Sequence, residues 1–139
     1  MSEQDFQPLI NAALEARQHS IAPFSGFLVG AAVKTDQGKV YTGCNVESAS
    51  YGLTVCAERV AIWKALSEGE KNFTELAVVA DTETLTPPCG TCRQIIWEFA
   101  RGATIVFANL DGKSETFKVA DLIPRAFDAR FLAASQKKS

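Results

Sequence analysis

Positive charge is not in surplus in this chain: 14 Lys and Arg stand against 16 Asp and Glu, a formal net charge of −2. A protein whose main partner is a polyanion needs clustered Lys and Arg to neutralise phosphates, so a nucleic acid polymer is excluded as the principal partner. The one dense basic pair, Lys137-Lys138, reads as a solvated tail. Long apolar runs are missing too. Runs such as Ala31 to Val33 and Ile105 to Ala108 are far too short for a bilayer, so no membrane partner is expected. The opening Met1-Ser2-Glu3-Gln4-Asp5 is acidic and lacks the apolar centre of a secretory signal. Cysteine is scarce, with four residues, and nothing secretory argues for pairing them. A reduced, cytoplasmic setting is expected, where a Cys-x-x-Cys motif points to metal or redox chemistry. Neither repeats, low-complexity tracts nor linkers divide the 139 residues, so one domain over 1–139 is expected, long enough to bury its own core.

What is present has a clear periodicity. Phe6, Leu9, Ile10, Ala13 and Leu14 recur at helical spacing, Arg17 extends the stripe, and Asp5 is placed to cap, which predicts a helix near 5–18. Pro8 then falls in the first turn, where its missing N–H costs little. His19, the only histidine, follows that helix and reads as a cation at its C-terminal end. Phe27 to Thr35 favours a strand, Asp36-Gln37-Gly38 turns the chain, and Lys39 to Cys44 returns as a second strand. Val55 to Leu66 predicts an apolar helix stopped at Gly69. Leu76 to Ala80 reads as a strand buried on both faces. After a polar loop over 81–88, a helix over 90–101 ends at Gly102, and Thr104 to Ala108 is a second buried strand. Asp111-Gly112 is a turn, Thr116 to Val119 a final strand, and one or two short helical segments follow. Trp63 and Trp97 read as core or interface residues and Cys44 as a small core residue. The order strand–strand–helix–strand–helix–strand–strand implies an α/β fold, a three-layer α/β/α sandwich with a five-stranded mixed sheet.

Two segments carry the chemistry. Thr54-Val55-Cys56-Ala57-Glu58-Arg59 opens the second helix, and Pro87-Pro88-Cys89-Gly90-Thr91-Cys92-Arg93-Gln94 opens the third. In a β-α-β-α arrangement both helices start at the same edge of the sheet, which brings three thiols together. Three thiolates suit Zn²⁺, tetrahedral with Zn–S near ~2.3 Å, and leave a fourth position for water. The positive end of a helix dipole favours the thiolate form at both places. Glu58 lies two residues after Cys56, so its carboxylate reaches that water without binding metal. A base and acid beside an activated water is what hydrolytic displacement of an amine requires.

Other readings of the same residues stand beside this one. Cys44 is available as a fourth ligand of a purely structural site, although such sites usually pair their cysteines closely. Cys89-Gly90-Thr91-Cys92 after a strand and opening a helix also fits a dithiol redox motif. A binding module without catalysis would use Glu58 only to complement the helix dipole. Stoichiometric zinc separates the redox reading from the others.

The residues together resemble a known family. Zinc deaminases carry His- or Cys-x-Glu followed by Pro-Cys-x-x-Cys, with the Glu as general acid and base. Here the first ligand is Cys56. Pro23-Phe24-Ser25-Gly26-Phe27-Leu28-Val29-Gly30-Ala31-Ala32, Gly43-Cys44-Asn45-Val46-Glu47, Cys56-Ala57-Glu58-Arg59, Pro88-Cys89-Gly90-Thr91-Cys92-Arg93-Gln94 and Leu122-Ile123-Pro124-Arg125-Ala126-Phe127 follow in family order. Across nearly its whole length the chain resembles the small, homotetrameric, free-nucleoside cytidine deaminases. The resemblance implies one zinc per subunit on Cys56, Cys89 and Cys92, with Glu58 catalytic, acting on cytidine and 2′-deoxycytidine in pyrimidine salvage. It implies that Asn45 and Glu47 hydrogen-bond the ribose 3′-hydroxyl and that Phe27 packs against the base. The Ala57 N–H and Glu58 hold the pyrimidine edge, and the Pro88 carbonyl receives the leaving amine. Phe127 reaches a neighbouring subunit's site, with Tyr51 and Ala49 near that boundary. Ser48, where the family commonly has Asn, and the variable Gly52-Leu53-Thr54 bear on substrate preference rather than on the reaction. Zinc with three thiolates already carries a net −1, which weakens its pull on water relative to a histidine site. Arg59 and Arg93 directly follow Glu58 and Cys92, and one or both are expected to offset this by hydrogen-bonding the sulfurs.

Overall fold

Alternate side chains of the strand Val29–Thr35 (β1) point to opposite faces of a sheet, and both faces are apolar. The structure, a computed structural model, describes residues 5–82 and 90–123. Its strands are β1, Val40–Cys44 (β2), Phe73–Ala80 (β3), Thr104–Ala108 (β4) and Ser114–Lys118 (β5). They form one sheet in the order β2-β1-β3-β4-β5. Only β3 and β4 run parallel; the other neighbours are antiparallel. That parallel pair needs a crossover, which the helix Gly90–Ala100 (α3) supplies.

The alternation decides the layers. Ala32, Ala77, Val79, Val106 and Ala108 face the helix Gln7–Arg17 (α1), packing with its Leu9 and Ala13. Their strand neighbours Ala31, Val33, Leu76, Val78, Ile105 and Phe107 face the opposite way. There they meet Ala57, Ala61, Ile62 and Ala65 of the helix Ala57–Ser67 (α2) and Ile96 and Ala100 of α3. Helices on both faces of a five-stranded mixed sheet make the expected three-layer sandwich. Among the described residues no helix is long and apolar enough to cross a membrane.

The helix layers come very close to the sheet at two glycines. A methyl group added at Gly30 would lie 1.9 Å from the Ala13 carbonyl oxygen of α1. One added at Gly43 would lie 2.5 Å from the Ala61 nitrogen and 2.6 Å from the Ala57 oxygen of α2. Both obstacles are backbone, which cannot rotate away. Gly43→Ala is therefore expected to cost about 1–3 kcal/mol, read as a lower urea midpoint at unchanged slope. At the far end of α2, Gly69 has φ +93°. Its N–H donates to the Leu66 carbonyl while that of Glu70 donates to Ala65, closing the helix as the glycine predicts.

Several boundaries move from the sequence expectation. The residue capping α1 by backbone is Phe6, yet the Asp5 carboxylate still accepts the Gln7 N–H at 3.0 Å. Val55 precedes α2 and bridges to Val46. β3 begins three residues early, at Phe73, and Val119 opens a short 3-10 turn rather than ending β5. Cys44 is half-buried at the end of β2 rather than in the core. Trp63 is 45% exposed, because it points away from the sheet, and the Arg59 guanidinium lies 5.6 Å from its ring. Trp97, on α3 itself, packs against the core under the Arg101 guanidinium.

Candidate active site

Cys56 caps α2 from an extended backbone, directly before the first-turn N–H groups that have no partner within the helix. Val55 holds that entry in place by exchanging backbone hydrogen bonds with Val46 at 2.9 and 3.0 Å. Glu58, one residue into the helix, turns inward and is only 4% exposed. Cys92 lies in the first turn of α3 and is fully buried. Because α2 and α3 pack side by side on one sheet face, the two helix starts meet.

The contacts there are chemical. Burial pushes the Glu58 carboxyl up to about 7. Its own backbone N–H opposes the rise, the Cys56 sulfur adds to it, and Arg59 and a hydrogen bond with Cys92 lower it. Burial works against the Arg59 cation, yet hydrogen bonds and charge attraction from the Cys56 and Cys92 sulfurs hold its pKa above the ordinary value. The same guanidinium donates from Nη2 to the Thr54 carbonyl at 3.1 Å. Its Nε–H is buried without a partner among the described residues, a donor left over for one more acceptor. Arg93, in contrast, donates from Nη1 to the Leu122 carbonyl at 2.7 Å and ties α3 to the chain after β5.

This donor set fits a thiophilic cation: two thiols at helix N-termini, a buried carboxyl beside them, and a cation already bonded to both sulfurs. Among the described residues no three His, Cys, Asp or Glu side chains form a complete metal-binding group. The third expected ligand, Cys89, lies outside the described residues, as do Pro88 and Phe127.

A second cluster lies where the 22–29 loop meets the chain after β2. Asn45, 8% exposed, donates from Nδ2 to the Phe27 carbonyl at 2.7 Å and accepts the Val29 N–H at 2.9 Å. The Glu47 carboxylate accepts the Phe24 and Ser25 N–H groups at 3.0 and 3.1 Å, and the Ser25 hydroxyl as well. A cavity of about 370 Å³ opens here, lined among the described residues by Phe24, Ser25, Glu47 and Thr54. Asn45 and Phe27 are not among those lining residues. Both hold the loop that forms the wall, Phe27 being 37% exposed. Ala49 is exposed, Tyr51 opens a one-turn 3-10 segment, and Ala57 is the buried first residue of α2.

From the sequence, Ser25 entered only as one residue of the 23–32 segment, and Thr54 only within the 54–59 segment and the variable 52–54 stretch tied to substrate preference. The only local signal for Ser25 was a short polar residue two before Phe27, whose N–H its hydroxyl accepts at 3.0 Å. Thr54 accepts the Ser48 N–H at 3.0 Å and so closes the loop that precedes Cys56.

The model of the cytidine and deoxycytidylate deaminase zinc-binding region matches residues 3–108. A curated cytidine deaminase of Sporosarcina psychrophila is 46% identical over 130 residues, covering 93% of this chain and 96% of that protein. The chain belongs to the cytidine deaminase family. Cytidine deaminase from Halalkalibacterium halodurans is 48% identical over 126 residues, 90% of this chain and 96% of that protein. The 1.6 Å crystal structure of cytidine deaminase from Burkholderia pseudomallei superposes with a TM-score of 0.85 at 44% identity. It covers 89% of this chain and all of that one.

Proposed function

We propose that this protein catalyses the hydrolytic deamination of cytidine and 2′-deoxycytidine to uridine and 2′-deoxyuridine, releasing ammonia, as a soluble cytoplasmic enzyme of pyrimidine salvage. The observation that carries this reading is the buried Glu58, hydrogen-bonded to Cys92 and beside Cys56 at the meeting of two helix starts. One zinc per subunit would be held by Cys56, Cys89 and Cys92, and the chemistry supplied there is Lewis-acid activation of the water that attacks C4. Glu58 takes a proton from the attacking water and delivers it to N3, then takes the second proton from the new C4 hydroxyl and delivers it to the departing amine, so that the C4–N bond breaks as the C4 carbonyl forms. A carboxyl raised to about 7 suits that exchange, because it gives and takes protons near neutrality.

The remaining residues bind and orient. The Ala57 N–H meets the O2 edge of the pyrimidine, and the Pro88 carbonyl receives the leaving amine. Phe27 packs on the base. Glu47 accepts the ribose 3′-hydroxyl, and Asn45 has one amide N–H left for it after holding Phe27. Arg59 neutralises the sulfurs it touches. Arg93 adds charge beside Cys92 while anchoring the segment that leads to Phe127. Phe127, with Tyr51 and Ala49 near the boundary, completes a neighbour's site in a homotetramer.

Purified, zinc-replete protein is expected to lower the ultraviolet absorbance of cytidine and deoxycytidine. Stripping the metal with a chelator should abolish this, and adding zinc back should restore it. Bound zinc with no change in either nucleoside would move the substrate to another amino-heterocycle.

A further inference from the structure

A carboxylate offers about four acceptor positions. On Glu47, Oε1 takes two backbone N–H groups and Oε2 takes the Ser25 hydroxyl, which leaves one position on Oε2 for a ligand beside the cavity. Such an oxygen is suited to a single hydroxyl donor rather than to a cation. The Ser25 oxygen that donates to Oε2 also accepts the Phe27 N–H at 3.0 Å. One hydroxyl therefore links the carboxylate that lines the cavity to the backbone that carries the aromatic ring.

We propose that Ser25 is a positioning residue that sets the preference for nucleosides with a free 3′-hydroxyl, by aligning Glu47 and Phe27 as one unit. The proposal rests on the reading that Glu47 accepts that hydroxyl. Without the Ser25 O–H, Oε2 loses the bond that fixes its direction, while the two N–H bonds to Oε1 remain. The carboxyl is held below its ordinary pKa first by the Ser25 hydroxyl and then by the Ser25 N–H, burial opposing and the Phe24 N–H adding, which fits an acceptor kept ionised in this place. Thr54, the other polar residue of the wall, already uses its hydroxyl oxygen on the Ser48 N–H and does not substitute for Ser25.

The test compares kcat/KM for cytidine and 3′-deoxycytidine in zinc-replete enzyme, with Ser25 and in Ser25→Ala, Ser25→Thr and Ser25→Cys. With Ser25 in place, cytidine is expected to be preferred by about 10- to 100-fold, the worth of one hydrogen bond to a charged acceptor. Ser25→Ala should lose about tenfold of that preference, because such a bond depends on alignment. Ser25→Thr, which keeps the hydroxyl, should retain it. Ser25→Cys fills the same space with a weaker donor and should lose preference even if Ser25→Ala folds poorly. Equal losses for both substrates, with the ratio unchanged, would mean a merely structural serine and overturn the proposal. A ratio near one in the unaltered enzyme would instead remove the Glu47 reading, and this proposal with it.

Discussion

Glu58→Gln is expected to lower kcat for cytidine by about 10²–10⁴-fold while zinc content and nucleoside binding persist. The amide keeps the shape and the hydrogen-bonding reach of the carboxylate but cannot accept a proton from water or return one to nitrogen. Glu58 is 4% exposed, so bulk water does not readily take over the transfer. Its burial also means that ionisation is costly in the folded chain, as the raised pKa records. A neutral isostere removes that cost, and the variant is expected to melt no lower than the parent, the usual direction when a buried catalytic charge is removed. Steady-state rates, metal analysis, equilibrium nucleoside binding and a melting curve measured together give the test. An undiminished kcat, or a fall explained by lost zinc, would take the proton-transfer role away from Glu58.

The second large effect is expected from Arg59→Gln, about 10- to 100-fold in zinc retention or kcat. Arg59 bonds both sulfurs and the Thr54 carbonyl, and its guanidinium lies over the Trp63 ring. Removing its charge takes away a cation bonded to the Cys56 and Cys92 sulfurs, and removing its donors frees the loop before Cys56. Arg93→Gln serves as the comparison. Its described bond goes to the Leu122 carbonyl, so this variant should also loosen the chain after β5. Competition with a chromophoric chelator reads zinc affinity directly. If Arg59→Gln keeps both affinity and rate, the sulfurs do not need this cation.

Much of the site was legible because its signals are local. Cys56 and Glu58 fall within one helical turn, and Cys92 sits in the first turn of the next helix on that face, so their types and spacing pointed to one place. The strands β1, β3 and β4 were legible for the same reason, as a β-favouring stretch and two continuous apolar runs. Ser25 was not, since its importance comes from Glu47, which reaches it only when two loops meet. The start of α2 was misread because Val55 is as apolar as the residues after it. What stops the helix before Ala57 is the Val46 bridge, a tertiary contact. The early part of β5 escaped for a different reason. Ser114 and Glu115 are exposed, so burial left no pattern in them. Trp63, 45% exposed, is not a core residue, which leaves the interface alternative, because a helix apolar nearly all round does not announce its outward face.

Cys56 and Cys92 stand on different helices, with β3 running between them in the chain. A ribosome releases the first of these sulfurs well before the second, and domains generally fold as units when their chain is complete. A nascent chain that ends within β3 thus holds Cys56 and Glu58 without their partner. The two helix starts can meet only after β3 has taken its place against β1 and α3 has emerged behind it. A metal held by both sulfurs could therefore be captured only after α3 has emerged, and zinc uptake by a pulse-labelled chain would time that step.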